Sequence, residues 1–429
     1  MNRTILALAL PNIITNISIP LLGMVDLGLM GHLSAQVYVG AIALGGMIFN
    51  FIFWGFGFLR MGSSGFTAQA FGENDMPKAT QVLTRSVFIA LAGSTLLVLL
   101  QEPIAMASFA LIGGSPEVEG LAKEYFYIRI YSAPATLCLY AFMGWFIGMQ
   151  NARIPMLLAI TVNVLNILFS LGFIFLLGMH SNGIALANVL SQSTGIIMAI
   201  LFFRRYYGDL RKHIQLRAAL QWSGMKEFLN VNKDIFIRTL CLIFTLSFFT
   251  TKSAKAGDTT LAVNTLLFQF LYFFSYFIDG FAYAAEALVG KYKGAGDKIM
   301  VRNIIRRLFQ WGFILAIVFM GIYVFAAQPI LRLLTDHQET ITAALPYLPW
   351  IFVLPLITFT AYVWDGIYVG ATASQAMRNS MVISTLLVFL PAYYIFNASL
   401  GNHGLWLALM LFMASRGLFL SVFARKAVL

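Results

Sequence analysis

The stretch that decides the fold is Leu21-Leu22-Gly23-Met24-Val25-Asp26-Leu27-Gly28-Leu29-Met30, which ends an apolar run that begins near Thr4. Asp26 is the one charged residue of this stretch. A run of about 20 apolar residues can cross a hydrocarbon core of about 30 Å as a helix. A lone aspartate inside such a helix costs roughly 2.5–3.5 kcal/mol on insertion scales. A partner, a proton, a bound cation or a water-filled cavity must therefore offset this cost.

The composition indicates a polytopic membrane protein. Of its 429 residues 60% are hydrophobic and only 10% are charged, whereas soluble domains carry about 25% charged residues. The net charge is +11, and the charged residues lie between the apolar runs. Lipid headgroups at these positions account for the positive charge better than a nucleic acid does. Cys138 and Cys241 both fall inside apolar runs, so we expect neither a disulfide nor a metal framework.

Apolar runs of membrane-spanning length recur along the chain, and we expect an all-α membrane protein with twelve transmembrane helices. The predicted spans lie near residues 4–30, 37–60, 82–101, 122–148, 154–178, 183–203, 234–251, 259–290, 302–327, 341–371, 380–397 and 402–424. A basic stretch separates the sixth and seventh runs. The predicted organisation is a six-helix bundle over 1–203, a cytoplasmic linker over 204–233 and a second six-helix bundle over 234–429.

Lysine and arginine set the orientation. The linker and most other cations fall on one side of the predicted spans, and both termini lie on that side. Because cytoplasmic loops carry the excess of Lys and Arg, we expect both termini in the cytoplasm.

The two halves resemble each other in sequence. Gly72-Glu73-Asn74-Asp75, which ends the second span, matches Gly294-Ala295-Gly296-Asp297, which ends the eighth, 222 residues later. The same offset relates Gly148 to Gly370, and an offset of 221 relates Pro134 to Pro355. Six helices, an even number, separate equivalent elements, so both copies have the same orientation. This predicts a parallel repeat with a pseudo-two-fold axis along the membrane normal, the architecture of an alternating-access transporter.

Three segments carry a resemblance to a known family. They are Met24-Val25-Asp26 through Gly31-His32-Leu33, then Asp279-Gly280-Phe281-Ala282-Tyr283-Ala284-Ala285-Glu286-Ala287-Leu288-Val289-Gly290, and Asp365-Gly366 with Gly370-Ala371-Thr372 and Met377-Arg378-Asn379-Ser380. On these residues the chain resembles multidrug and toxic compound extrusion (MATE) transporters, within them the DinF-like branch. The resemblance implies cation-driven export of amphipathic compounds, with an acid of the first helix as the coupling site.

The chain departs from the family pattern at two positions. In its fifth helix the family often shows Asn followed four residues later by Asp, whereas this chain has Asn166 and then Ser170. In the sixth helix a family threonine is replaced by Asn188. A coupling network built on two carboxylates in the first half is therefore not expected.

The predicted topology places Asp26, Asn166, Ser170 and Asn188 at similar depth in the first bundle, with Asn163 close by. We expect these side chains to form the coupling site. Burial favours the protonated form of a carboxylate, so Asp26 could exchange H⁺. Oxygen-rich surroundings could equally hold Na⁺ beside it. A third alternative is that an arginine of span four, Arg129, pairs with Asp26.

Pro20 is the predicted hinge, because proline removes a helix hydrogen bond toward Asn16 and weakens the helix that carries Asp26.

The second half carries its own charges at inner depths. The acids are Asp279, Glu286 and Asp365, and the bases are Arg238 and Arg416. Opposite charges at one depth tend to pair, so we expect a packing or gating role, with coupling or substrate contact as the alternative.

Span eight is rich in aromatic residues. Phe273, Tyr276 and Phe277 lie near an acid and could hold an organic cation by cation–π attraction, although packing against lipid or neighbouring helices is the alternative.

The combined prediction is a secondary active antiporter that exports amphipathic, cationic compounds in exchange for H⁺ or Na⁺. We expect a monomer in a bacterial inner membrane, with lipids and small-molecule substrates as partners and without cofactor, resident metal or nucleic acid. A flippase for a lipid-linked or polysaccharide precursor is the first alternative, and it would need several cavity cations for phosphates. A membrane-embedded enzyme or receptor is the second, and it would need a clustered polar constellation that the histidines do not form.

Overall fold

A computed structural model describes residues 1–31, 36–113 and 115–428. Side chains are described in these ranges except at Ile19, Leu22, Met24, 26–30, Gln36 and Ile112. The described residues form helices joined by short turns, as the apolar runs predict.

The described residues that precede the basic stretch form nine helices. They are α1 (Asn2–Gly31), α2 (Gln36–Gly55), α3 (Phe58–Gly72), α4 (Met76–Leu99), α5 (Gln101–Ile112), α6 (Pro116–Arg129), α7 (Ala133–Gly148), α8 (Arg153–Leu171) and α9 (Ser181–Tyr206). A 3₁₀ turn (Ile130–Ser132) joins α6 to α7, and a π-helical segment (Gly172–Leu176) extends α8.

The remaining helices follow from the basic stretch to the end of the described chain. They are α10 (Leu216–Ala219), α11 (Trp222–Lys255), α12 (Asp258–Gly294), α13 (Lys298–Leu334), α14 (Gln338–Ala344), α15 (Leu348–Gly370), α16 (Ser374–Ile383), α17 (Leu390–Leu400) and α18 (Asn402–Ala427). A second π-helical segment (Ser384–Phe389) joins α16 to α17, and 3₁₀ turns span Gly208–His213 and Leu345–Tyr347.

Eleven helical stretches in the described part of the chain are long and apolar enough to cross a membrane. Helix α1 adds a further 30 residues of the first apolar run. The predicted all-α membrane fold is therefore confirmed.

Several helix boundaries differ from the prediction, since α3 ends at Gly72 rather than 60 and α13 ends at Leu334 rather than 327. Helix α11 begins at Trp222, well before the predicted span at 234. Hydropathy marks only the apolar part of a helix, whereas strong helix formers such as Met225 and Lys226 extend it toward water.

The described chain packs as two compact units. The N-terminal unit is Ile14–Leu229, and the C-terminal unit combines Met1–Ile13 with Asn230–Leu429. Helix α1 thus contributes its first residues to one unit and the rest to the other.

The internal repeat is visible in two equivalent turns. Asn74 and Gly296, 222 residues apart, both adopt a left-handed backbone, with φ of 58° and 73°. Each is followed by an aspartate, Asp75 or Asp297, that begins the next helix. Its carboxylate accepts a hydrogen bond from the backbone N–H three residues later, at 2.9 Å in both turns. Carboxylates at this position satisfy free N–H groups of the first helical turn.

The repeat extends to two equivalent helix crossings. Where α3 crosses α7, a Cβ atom on Gly144 would collide with the backbone of Arg60. Where α12 crosses α15, a Cβ atom on Gly366 would collide with the backbone of Ala282. Both pairs are related by the same offset of 222 residues. Small residues let membrane helices approach closely, so each of these two glycines permits a close backbone contact within its unit.

Candidate functional site

A polar contact joins α8 to α1 in the N-terminal unit. The side-chain amide of Asn163 donates to the carbonyl oxygen of Ser18 at 3.1 Å and to its Oγ at 3.0 Å. Ser18 Oγ in turn donates to the carbonyl of Thr15 at 2.7 Å. Ser18 lies two residues before Pro20, and α1 stays helical through this proline. Asn163 therefore holds the segment that contains the predicted hinge, whose role stays a prediction.

A second polar contact joins α8 to α9. Asn166 Nδ2 donates to Ser191 Oγ at 3.3 Å, and Ser191 Oγ donates to the carbonyl of Asn188 at 3.1 Å. The amide of Asn188 donates to the carbonyl of Ile184 in its own helix at 3.1 Å. Sequence reasoning missed Ser191, although its position three residues after Asn188 puts both on one helix face.

Two oxygens of this region lack a hydrogen-bond partner among the described residues. Asn166 Oδ1 and Ser170 Oγ are both buried, and they lie four residues apart on the same face of α8. A buried polar atom without a partner costs free energy comparable to a lost hydrogen bond. A cation, a proton-bearing carboxyl or a water molecule would satisfy both oxygens. The Asp26 side chain lies outside the described part of the chain, so its predicted contact with these residues stays a prediction.

Arg129 lies among aromatic rings. Its guanidinium donates to the hydroxyl of Tyr125, and its Cζ atom lies 4.9 Å from the ring centre of Phe49. Attraction between the cation and the ring face stabilises this arrangement. The alternative pairing of Arg129 with Asp26 stays a prediction.

The C-terminal unit contains a buried charge cluster of four residues, Asp279, Asp365, Arg238 and Arg416, from helices α12, α15, α11 and α18. Asp365 Oδ2 accepts hydrogen bonds from both arginines, at 2.7 Å from Arg416 Nη2. Asp365 is 6% exposed and Arg416 is 2% exposed. Asp279 is half-buried and close enough to Arg416 to interact electrostatically. The Asp365 carboxylate thus pairs with two arginines, and the role of the cluster in transport stays a prediction.

The remaining predicted acid of this unit is more enclosed. Glu286 is 1% exposed on α12, and its backbone carbonyl lies against Gly370, where α12 and α15 cross. Its position is therefore tied to the packing of these two helices.

The predicted substrate aromatics also pack with one another. The rings of Phe273 and Phe277 lie 5.3 Å apart and contact Phe319 of α13 at 5.7 and 5.0 Å. Tyr276 interacts electrostatically with Asp279 of the charge cluster. Their contact with substrate stays a prediction.

Sequence reasoning missed an ion pair between α11 and α16. Buried Asp234 accepts from Arg378 Nη1 at 2.6 Å and from Ser374 Oγ at 2.9 Å. Arg378 belongs to the Met377-Arg378-Asn379-Ser380 segment that the sequence analysis singled out. Asp234 directly follows the basic stretch, so its sequence neighbours gave no sign that its carboxylate is buried.

A polar cluster also joins the end of α11 to the beginnings of α12 and α18. Asn264 Nδ2 donates to Ser253 Oγ and to Asn402 Oδ1, both at 2.7 Å. Asn264 Oδ1 accepts from Asn402 Nδ2 at 3.0 Å and from Trp406 Nε1 at 2.8 Å. This asparagine therefore uses its donors and its acceptor between three helices.

Comparison with known proteins explains the repeated architecture. The MatE family model matches twice, over residues 11–172 and 236–395. The chain belongs to the MatE family. The double match is what a chain with two related halves gives, and this family consists of the MATE transporters that the sequence resembles.

This MATE protein has close relatives in bacteria. It is 36% identical over 425 residues to DNA damage-inducible protein F of Escherichia coli K12, covering 98% of this chain and 91% of that one. It is 26% identical over 357 residues to the probable multidrug resistance protein NorM of Thermotoga maritima, covering 80% and 74%. The predicted DinF-like resemblance is thereby confirmed.

Solved MATE structures share the fold. An outward-facing multidrug resistance MATE transporter superposes with a TM-score of 0.90 at 20% identity, covering 99% of this chain and 95% of that one. The Vibrio cholerae transporter VcmN in its bent form gives a TM-score of 0.88 at 18% identity, covering 99% and 96%. These structures show the fold alone. The family match and the Escherichia coli relative show that this MATE protein is a multi-pass membrane protein of a transporter family rather than an enzyme.

Proposed function

We propose that this protein is a secondary active antiporter that exports amphipathic, cationic compounds from a bacterial cell in exchange for H⁺ or Na⁺. Asp26 is the coupling residue, and Asn163, Asn166, Ser170 and Asn188 support it. The names of the relatives support the substrate class, since they include a probable multidrug resistance protein and a multidrug export protein, MepA of Staphylococcus aureus.

The observation that carries the proposal is a pair of buried oxygens on α8 that have no hydrogen-bond partner in the described part of the chain. Asn166 Oδ1 and Ser170 Oγ lie in the N-terminal unit, which also contains the part of α1 that bears Asp26. Amide and hydroxyl oxygens are ligands for hard cations, and a hydroxyl can also donate to a carboxylate. Unpartnered buried oxygens support a site for an exchangeable occupant, because most buried polar atoms in proteins have a hydrogen-bond partner.

The proposal also assigns roles to the two predicted six-helix bundles. We infer that the bundles over 1–203 and 234–429, joined by the linker over 204–233, are the bodies that alternate access. The protein acts as a monomer in the bacterial inner membrane with both termini in the cytoplasm. Each charge that moves down the membrane potential supplies about 2.3 kcal/mol per 100 mV.

The test is transport of a fluorescent cationic dye into proteoliposomes under an imposed H⁺ or Na⁺ gradient, with the membrane potential clamped. We expect Asp26→Asn to abolish gradient-driven transport while dye binding persists, because the amide cannot exchange a charge. Asp336→Asn is the matched control, since Asp336 is an exposed loop acid. Gradient-driven transport by Asp26→Asn at the control rate would refute the coupling role. Transport driven by a Na⁺ gradient at fixed pH would identify Na⁺, and transport driven only by a pH gradient would identify H⁺.

A further inference from the structure

A cavity of about 330 Å³ in the C-terminal unit is lined by lysines from three helices. We name it the lysine pocket, and its lining residues are Lys293, Gly296, Lys298, Val301, Lys426, Ala427 and Val428. It lies where α12 ends, α13 begins and α18 ends. The predicted spans over 259–290, 302–327 and 402–424 have ends within a few residues of this pocket, so we place it at the level of the lipid headgroups.

The lysines of this pocket differ in exposure and in role. Lys293 is half-buried, and its ammonium donates to the carbonyls of Ala371 at 2.9 Å and Ala427 at 3.3 Å. Two of its three N–H donors thus hold the ends of α15 and α18, where the helix dipole favours a cation. Lys298 and Lys426 are exposed, so both ammonium groups are free to meet a ligand at the mouth.

The pocket has an excess of positive charge. The ionisable residues among its lining are all lysines. The acid next to it in sequence is Asp297, whose carboxylate caps α13 by accepting from the Met300 N–H at 2.9 Å. The backbone N–H groups of Gly296 and Asp297 are also used within the turn, by the carbonyls of Lys293 and Tyr292. The lining thus offers an anion two exposed ammonium groups as partners.

The apolar part of the lining narrows the class of anion. Val301, Ala427 and Val428 also line the pocket, so an anion with an attached apolar body can contact them while its charge meets the ammonium groups. Basic pockets between transmembrane helices bind anionic lipid headgroups. This lining therefore fits the phosphate group of a molecule with an apolar body better than a fully hydrated ion such as chloride.

We infer that the lysine pocket binds a phosphate group, either that of an anionic phospholipid headgroup or free phosphate. The site is separate from the charge cluster and from the polar residues of α8, and its occupancy does not depend on the proposed transport reaction. An occupied pocket ties the ends of α12, α13 and α18 together through one shared anion.

The test measures binding of short-chain phosphatidylglycerol and phosphatidylcholine to the full-length protein in detergent by native mass spectrometry. We expect one phosphatidylglycerol to bind more tightly than phosphatidylcholine. Each lysine near an anionic headgroup strengthens binding about fivefold. The double variant Lys298→Gln with Lys426→Gln should therefore weaken phosphatidylglycerol binding about 25-fold. Lys293 is left intact, because its loss would free two helix ends.

The matched control is Lys212→Gln with Lys226→Gln, which removes the same charge from exposed positions outside the pocket. We expect this control to bind phosphatidylglycerol as the wild type does. Equal binding by the pocket variant and the wild type would overturn the proposal, and so would equal weakening by the control. Inorganic phosphate that displaces the lipid at millimolar concentration identifies free phosphate as a second source of the ligand. If inorganic phosphate does not displace the lipid, the lipid headgroup alone is the ligand. Either result is consistent with a phosphate-binding site in the lysine pocket.

Discussion

Replacing Asp365 by Asn should strongly destabilise the C-terminal unit. Its carboxylate accepts from Arg238 and Arg416 and is 6% exposed, so the amide leaves two buried guanidinium groups without that negative charge. Removing one partner of a buried ion pair costs about 3–5 kcal/mol. Because 1.36 kcal/mol corresponds to a factor of ten, the ratio of folded to unfolded protein should fall by about two to four orders of magnitude. We expect the upper half of this range, since one carboxylate serves two cations.

The assay is denaturant unfolding in detergent, followed by tryptophan fluorescence. Glu73→Gln is the matched control, because Glu73 pairs with Lys78 at 2.7 Å with side chains 35% and 44% exposed. Such surface pairs contribute about 0–1 kcal/mol. Adding Arg416→Met to Asp365→Asn should recover part of the loss, since it removes one stranded cation. If Asp365→Asn unfolds at the same free energy as Glu73→Gln, the charge cluster does not stabilise the fold and the reasoning is wrong.

Two further predictions concern packing and buried hydrogen bonds, and both are measured by the same unfolding experiment. Gly366→Ala should destabilise by about 1–3 kcal/mol because its methyl group meets facing backbone. Gly321→Ala, which has open space on α13, should be neutral or stabilise by about 0.5–1 kcal/mol, and a larger loss there would contradict the crossing argument. Asn264→Ala should cost about 1–3 kcal/mol because it strands the buried indole N–H of Trp406. Exposed Ser399→Ala should stay within about 0.5 kcal/mol, and an equal effect of both variants would refute the role of Asn264.

The fold could be predicted because a membrane helix and its turns leave strong local signals. Apolar runs located the spans, and the matching turns at Asp75 and Asp297 revealed the repeat, since both aspartates cap a helix in the same way. The polar start of α11 at Trp222 gave no such signal. Helices that are apolar on nearly all sides do not show from sequence which face meets a neighbour.

The polar contacts were harder to predict for the same reason. The sign and depth of Asp365, Arg238 and Arg416 indicated that charges would pair. That both arginines donate to one oxygen depends on the rotation of three helices about their axes. Ser191 was missed because a serine is common in membrane helices and becomes informative only when Asn166 is placed beside it.

The two equivalent helix crossings record the ancestry of the chain. A crossing that both halves share, with Gly144 in one and Gly366 in the other, was inherited from a single ancestral half before that half was duplicated. The charges do not follow this pattern, since Met143 stands at the position equivalent to Asp365. The duplicated halves therefore kept one scaffold and diverged at their polar centres, and a residue present in only one half records what happened after the duplication.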